Sequence, residues 1–278
     1  MTLVTFASGK GSPGVTTLAC LVGATWTPGR RVVIVECDPG GGDLAVRFNL
    51  SARIGWLTVA ASARRDATAT TIDSHLQRLP GGLEVLVGAR RHDLWSGDEL
   101  AHDAAMKALF RFSEEVDVIV DVGRLLPGFS DTEAWLRGSA VNCIVLRPDA
   151  ASVIHVHERV EALRGTSIRQ LGLVVVGRGR YSSKEIERFT GVPVLGEVPD
   201  DPVAAAVAAG ERGTERRLSR SSLVVSARRL SATIVLSVAD SQLHPDGSLS
   251  DQGKRLPDCD GTSLSHSLRP FTDHALQV

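Results

Sequence analysis

Gly9-Lys10-Gly11-Ser12-Pro13-Gly14-Val15-Thr16-Thr17 is a glycine-rich turn between two apolar segments. Leu3-Val4-Thr5-Phe6-Ala7 precedes it as a strand-like run, and Leu18-Ala19-Cys20-Leu21-Val22 follows with helix-forming composition. Strand, glycine-rich turn and helix, in that order, place backbone N–H groups and a helix N-terminus where they cradle phosphate. The spacing G-x-x-x-x-G-K-[ST] runs from Gly9 to Thr16, with Val15 where the phosphate-binding lysine belongs. The same residues satisfy G-x-G-x-x-G through Gly9, Gly11 and Gly14. Two nucleotide-binding formats therefore compete for one loop.

The dinucleotide format wants an acid about 20 residues on, at the end of the second strand, to hold a ribose. Glu36 stands there. The phosphate-loop format wants a hydroxyl on the first helical turn for Mg²⁺ and an aspartate closing a later apolar strand. Thr16 supplies the hydroxyl, and Asp121, ending Val116-Asp117-Val118-Ile119-Val120, supplies the acid. A NAD-binding oxidoreductase has no use for Asp121, for the doubled Thr16-Thr17, or for the second glycine-rich loop Cys37-Asp38-Pro39-Gly40-Gly41-Gly42-Asp43. The phosphate-loop format accounts for more of the chain.

Outward from the loop, short runs rich in Val, Ile and Leu recur at 3–7, 32–35, 116–120, 141–146, 171–176 and 192–198. Such runs, separated by amphipathic stretches, predict parallel strands buried on both faces. A further strand pair is expected around Pro80-Gly81-Gly82. Capping signals stand at Ser96-x-x-Glu99, Ser182-x-x-Glu185 and Asp149, and Pro202 opens a small-residue helix. The expected fold class is α/β, a doubly wound, mostly parallel sheet over residues 1–236, with ligands at the carboxyl ends of the strands. Residues 237–278 lose apolar periodicity and read as a disordered tail.

With 278 residues and a net charge of −1, the chain offers no bulk electrostatic case for nucleic acid or an anionic membrane. Cys20, Cys37, Cys143 and Cys259 are widely spaced and form no C-x-x-C pair, as expected of reduced thiols in a cytoplasmic protein. The N-terminus begins as a strand, so no signal peptide is expected. His155 and His157, two apart on a helix, make a poor metal pair. Trp26, Trp56, Trp95 and Trp135 are expected to pack core edges.

Lys10-Gly11-x-x-Gly14-x-Thr16-Thr17 resembles the variant Walker A motif of the MinD/ParA family of P-loop ATPases. The likeness continues through Glu36-x-Asp38, similar to the acidic pair of switch I, and through Asp121-Val122-Gly123, similar to Walker B running into switch II. It extends over Val141–Pro148, Leu171–Arg178 and Gly191–Asp200, the late strands and closing segment of that fold, and so covers residues 1 to about 235. The wording of the two glycine loops is similar to an actinobacterial MinD-like branch that accompanies CpaF/Tad-type secretion and pilus ATPases. The resemblance implies a cofactor, ATP or another nucleoside triphosphate with Mg²⁺, held by Gly9, Lys10, Gly11, Ser12, Gly14, Val15, Thr16 and Thr17. It implies Thr16 and Asp121 at the metal, with Asp38 and Asp121 as the catalytic acids and Asp38 placing the attacking water. It also implies a nucleotide-dependent homodimer and a protein partner in secretion, pilus or partition machinery.

Two positions depart from the family pattern. Val15 removes one of two phosphate lysines and leaves Lys10, the signature lysine, as the expected principal cation, since the loop holds no other Lys or Arg. Gly177-Arg178 stands where relatives carry an adenine-reading Asn, which leaves the base unassigned. The expected function is a weak or slow ATPase that regulates or positions a partner assembly; the alternatives are a pseudo-ATPase scaffold and the oxidoreductase above. In residues 215–236, Leu218, Leu223, Ala227, Leu230 and Ile234 repeat at helical spacing among arginines. That pattern suits either an interfacial membrane anchor or the closing helix of the sheet. The absence of Trp and Phe and the polar segment that follows favour the closing helix, with no membrane contact.

Overall fold

The computed structural model describes residues 1–10, 13–89, 99–126, 130–211 and 218–243. Gly11, Ser12, Trp95, the Ser96 cap, Glu215–Arg217 and the segment 244–278 lie outside the described residues.

The apolar runs become strands at β1 (Leu3–Ser8), β2 (Val32–Glu36), β5 (Asp117–Arg124), β6 (Val141–Leu146), β7 (Leu171–Val176) and β8 (Val194–Val198). Short strands β3 (Gln77–Arg78) and β4 (Glu84–Leu86) flank the Pro80-Gly81-Gly82 turn as the expected pair and run antiparallel. The sheet has eight strands in the order β3-β4-β2-β5-β1-β6-β7-β8. Its pairings beyond β3–β4 are parallel. Every residue of β1, β6 and β7 is buried, because each strand is covered on both faces.

One face carries α1 (Val15–Ala24), α2 (Leu44–Arg47), α9 (Pro202–Ala208) and α10 (Ser222–Leu243). The other carries α3 (Trp56–Ala63), α4 (Ala69–Asp73), α5 (Glu99–Glu115), α6 (Ser130–Gly138), α7 (Ala150–Leu163) and α8 (Ser183–Thr190). The expected caps at α7 and α8 form: Asp149 accepts from the Ser152 N–H at 2.9 Å, and Ser182 and Glu185 close a capping box. Trp56 and Trp135 differ from their expected place at core edges. Each is 1% exposed, and they meet edge-to-face at 5.6 Å in the α3/α5/α6 layer.

The order of the central strands separates the two nucleotide formats. The usual dinucleotide-binding sheet sets the first two strands side by side. Here β5 lies between β1 and β2, pairing Phe6 with Asp121 on one edge and Glu36 with Asp121 on the other. That inserted strand brings Asp121 beside Thr16 at the start of α1.

Helix α10 closes the sheet. Leu223, Ala227, Leu230, Ile234 and Val238 are buried on the face shared with α1, while Arg228 and Arg229 are exposed. By length and composition alone its first 18 residues are apolar enough to cross a membrane. The buried stripe is spent on the sheet instead, at about 1.5–3 kcal/mol for each fully buried large aliphatic. The helix also runs past the boundary expected at residue 236 to Leu243, because Val238 continues the stripe.

Candidate functional site

Gly14 takes a left-handed conformation, φ 91, and α1 starts at the next residue. Only glycine accepts that backbone without strain. Gly14 has no side chain to cap α1, and among the described residues the first N–H groups of the helix face the space beyond β1. That space is a cleft of about 430 Å³ lined by Gly14, Val15, Thr16 and Thr17 from the loop and α1, Asp38, Gly40 and Asp43 from the segment after β2, and Gly123 and Arg124 from β5. Ser8, Arg47 and Leu126 complete the lining.

Asp121 lies under this cleft with no exposure. Its Oδ1 accepts the Gly123 N–H at 2.9 Å, while Oδ2 has no hydrogen-bond partner of good geometry among the described residues. Desolvation pushes its pKa up to about 7; the Thr16 hydroxyl and the Gly123 N–H act in the opposite sense. A buried carboxylate oxygen without a partner costs folding free energy unless something else satisfies it. A hydrated cation held beside Thr16 would do so. Among the described residues no group of three or more His, Cys, Asp or Glu is set to hold a metal. The donor set is thus one acid and one hydroxyl, which suits Mg²⁺, a cation that keeps waters and takes its other ligands from phosphate.

Asp38 is partly buried, accepts the Gly40 N–H at 2.7 Å, and has its pKa raised chiefly by desolvation. Gly123 sits against it at φ 60, and a Cβ there would collide with the Asp38 carboxylate. Gly123→Ala is therefore expected to cost about 1–3 kcal/mol of stability through backbone strain and to displace Asp38. Denaturant unfolding at unchanged slope measures the first effect. A variant as stable as the parent would show that the β5 terminus relaxes freely.

Glu36 does not hold a ribose. Its carboxylate accepts the N–H groups of Asp43 at 2.6 Å, Leu44 at 3.0 Å and Gly88 at 2.9 Å, tying the second glycine loop to the sheet. Burial raises its pKa against those three bonds. The acid that fits the dinucleotide format is thus a loop anchor.

The fold gathers Gly14, Val15, Thr16, Thr17 and Asp38 around one cleft with Asp121 beneath. Gly9 is buried against Val156 of α7, where a Cβ would come within 2.9 Å of Val156 Cγ2. Lys10 is exposed and is not among the residues that line the cleft. Arg47 and Arg124, remote in sequence, line the cleft. Val15 is 6% exposed and packs with the α1-side core. A second cavity of about 130 Å³ shares Gly14 and Thr17 and runs toward Arg147, Val198 and Asp200. There Arg147 pairs with Asp200 at 2.8 Å, and Gly177 faces Asp200 Cβ at 3.2 Å from where its own Cβ would stand.

No protein-family model matches the chain, and no curated protein matches it in sequence. Solved structures do match in fold. A ParA family ATPase from Chlorobium tepidum is 18% identical with a TM-score of 0.70, over 83% of this chain and 98% of that one. The MinC:MinD cell division complex of Aquifex aeolicus gives 17% identity and a TM-score of 0.66, over 84% and 96%. MinD from Pyrococcus horikoshii, solved with Mg-ADP, gives 17% and 0.62, over 84% and 95%. With β5 between β1 and β2 and a glycine loop opening α1, this chain has the fold of the MinD and ParA P-loop ATPases.

Proposed function

We propose that the chain binds a nucleoside triphosphate with Mg²⁺ in the α1 cleft, hydrolyses it slowly, and through it regulates or positions a partner assembly. One observation carries this reading: buried Asp121, whose Oδ2 has no hydrogen-bond partner of good geometry among the described residues, lies under a cleft that Thr16 and the N-terminus of α1 line. Bound Mg²⁺ would supply charge neutralisation of the phosphates. Thr16 would offer its hydroxyl as a direct ligand, and Asp121 would hold the metal's water shell. The free N–H groups of α1 orient the phosphate oxygens. Asp38, fixed by the Gly40 N–H and by contact with Gly123, is placed to hold a water by its carboxylate. The bound Mg-ADP of the Pyrococcus horikoshii MinD structure supports the same ligand class here.

Val15 favours a second reading, binding without turnover. Its short apolar side chain is packed into the core and brings no charge to a phosphate. The family likeness further supports a nucleotide-dependent homodimer in the cytoplasm, acting on a secretion, pilus or partition assembly without lipid. The MinC complex of the Aquifex aeolicus relative is a precedent for a protein partner.

Equilibrium binding of ATP, GTP and NAD, with and without Mg²⁺, tests the site. Triphosphate binding that strengthens with Mg²⁺ is the expected result. Binding of NAD alone, or of none of the three, would overturn it. Phosphate release under single-turnover conditions then separates slow hydrolysis from none.

A further inference from the structure

We propose that Arg124, at the end of β5, supplies the phosphate-binding charge that the glycine loop lacks at Val15; the inference rests on the nucleotide reading above. β1 and β5 pair with Phe6 opposite Asp121, so unbroken register would set Ser8 opposite Gly123. Ser8 instead lies opposite Arg124, and the register shifts between Phe6 and Ser8. β5 therefore carries an extra residue there, a bulge, which Gly123 absorbs at φ 60.

The consequence is a change of face. A slip of one residue moves a side chain from one side of a sheet to the other. Val118, Val120 and Val122 point into the core on the side away from α1, and unbroken alternation would send Arg124 after them. Past the bulge, Arg124 lines the cleft with Thr16 and Thr17. Two hydrogen bonds fix its chain neighbours against β1: the Leu125 N–H donates to Ser8 O at 2.9 Å, and the Ser8 hydroxyl donates to Gly123 O at 3.4 Å.

The other cations near the cleft are less suited. Arg47 is engaged with Asp43 at 2.9 Å. Lys10 is not among the residues that line the cleft. Arg124 takes part in none of the ion pairs among the described residues. A cleft with Asp38 and Asp43 on its wall and Asp121 beneath needs added positive charge to hold a polyphosphate. A guanidinium brings that charge in a fork matched to phosphate oxygens.

Titration calorimetry with MgATP and with inorganic tripolyphosphate tests this on the full chain. Arg124→Gln is expected to weaken both by about 10- to 100-fold, and Arg124→Lys by less. Adding Val15→Lys to Arg124→Gln should restore most of the loss, which a merely structural role of Arg124 would not allow. Arg124 is exposed, so its replacement leaves the core intact. If Arg124→Gln binds both ligands as tightly as the parent, the inference falls and the nucleotide site stands. It also falls if a folded double variant recovers nothing. A parent that binds neither ligand removes the inference and the nucleotide reading together.

Discussion

Asp121→Asn is expected to lower Mg²⁺-dependent turnover and metal affinity by about 10- to 100-fold while leaving the protein at least as stable in metal-free buffer. The two halves have one cause. Asp121 is fully buried and its Oδ2 has no hydrogen-bond partner of good geometry among the described residues, so its charge is a burden on folding. Asparagine keeps an acceptor for the Gly123 N–H and removes the charge, which relieves that burden. A residue that holds a metal through its water shell typically contributes that much to affinity or activity. Thermal unfolding and phosphate release, each with and without Mg²⁺, measure the two halves. A variant with unchanged turnover would remove Asp121 from the metal site, and a large loss of stability would make it a structural acid.

Val15→Lys should tighten MgATP binding by about 10- to 100-fold. A unit charge 4 Å from a phosphate oxygen is worth about 4 kcal/mol at an effective dielectric of 20. Part of that is spent on desolvating the ammonium and on lost packing, since Val15 is nearly buried among the residues that seat α1. The stem of a lysine can follow the valine path and place its head in the cleft that Val15 already lines. Calorimetry on the folded variant measures the gain. An affinity equal to the parent's would mean that the turn does not cradle phosphate.

Much of this architecture was legible without coordinates. Runs of Val, Ile and Leu too short for helices announced the parallel strands, because a strand covered on both faces has no polar side to keep. Asp149 and Ser182 announced helix starts, because capping is a contact within one turn. Thr16, Asp38 and Asp121 were legible as a set, since each lies in or just past an element at the carboxyl edge of the sheet, where such folds bind ligands. The extent of α10 was less so. Its last turns look polar by composition, and Val238 counts as core only once the sheet beneath it is known.

Local sequence determined the strands, the caps and the glycine turn, because those depend on residues within a few positions of one another. Only the tertiary structure decided between the two nucleotide formats, since that choice is whether β5 enters between β1 and β2, a pairing across more than eighty residues of chain. It alone turned Glu36 from a candidate ribose ligand into the anchor of the Asp43 and Gly88 backbones. It also left Lys10 outside the cleft and brought in Arg124. The reason is register. Which face a side chain takes at the end of a strand follows from pairing with a neighbour, and a one-residue bulge at Gly123 reverses it with no trace in the alternation of Val118, Val120 and Val122.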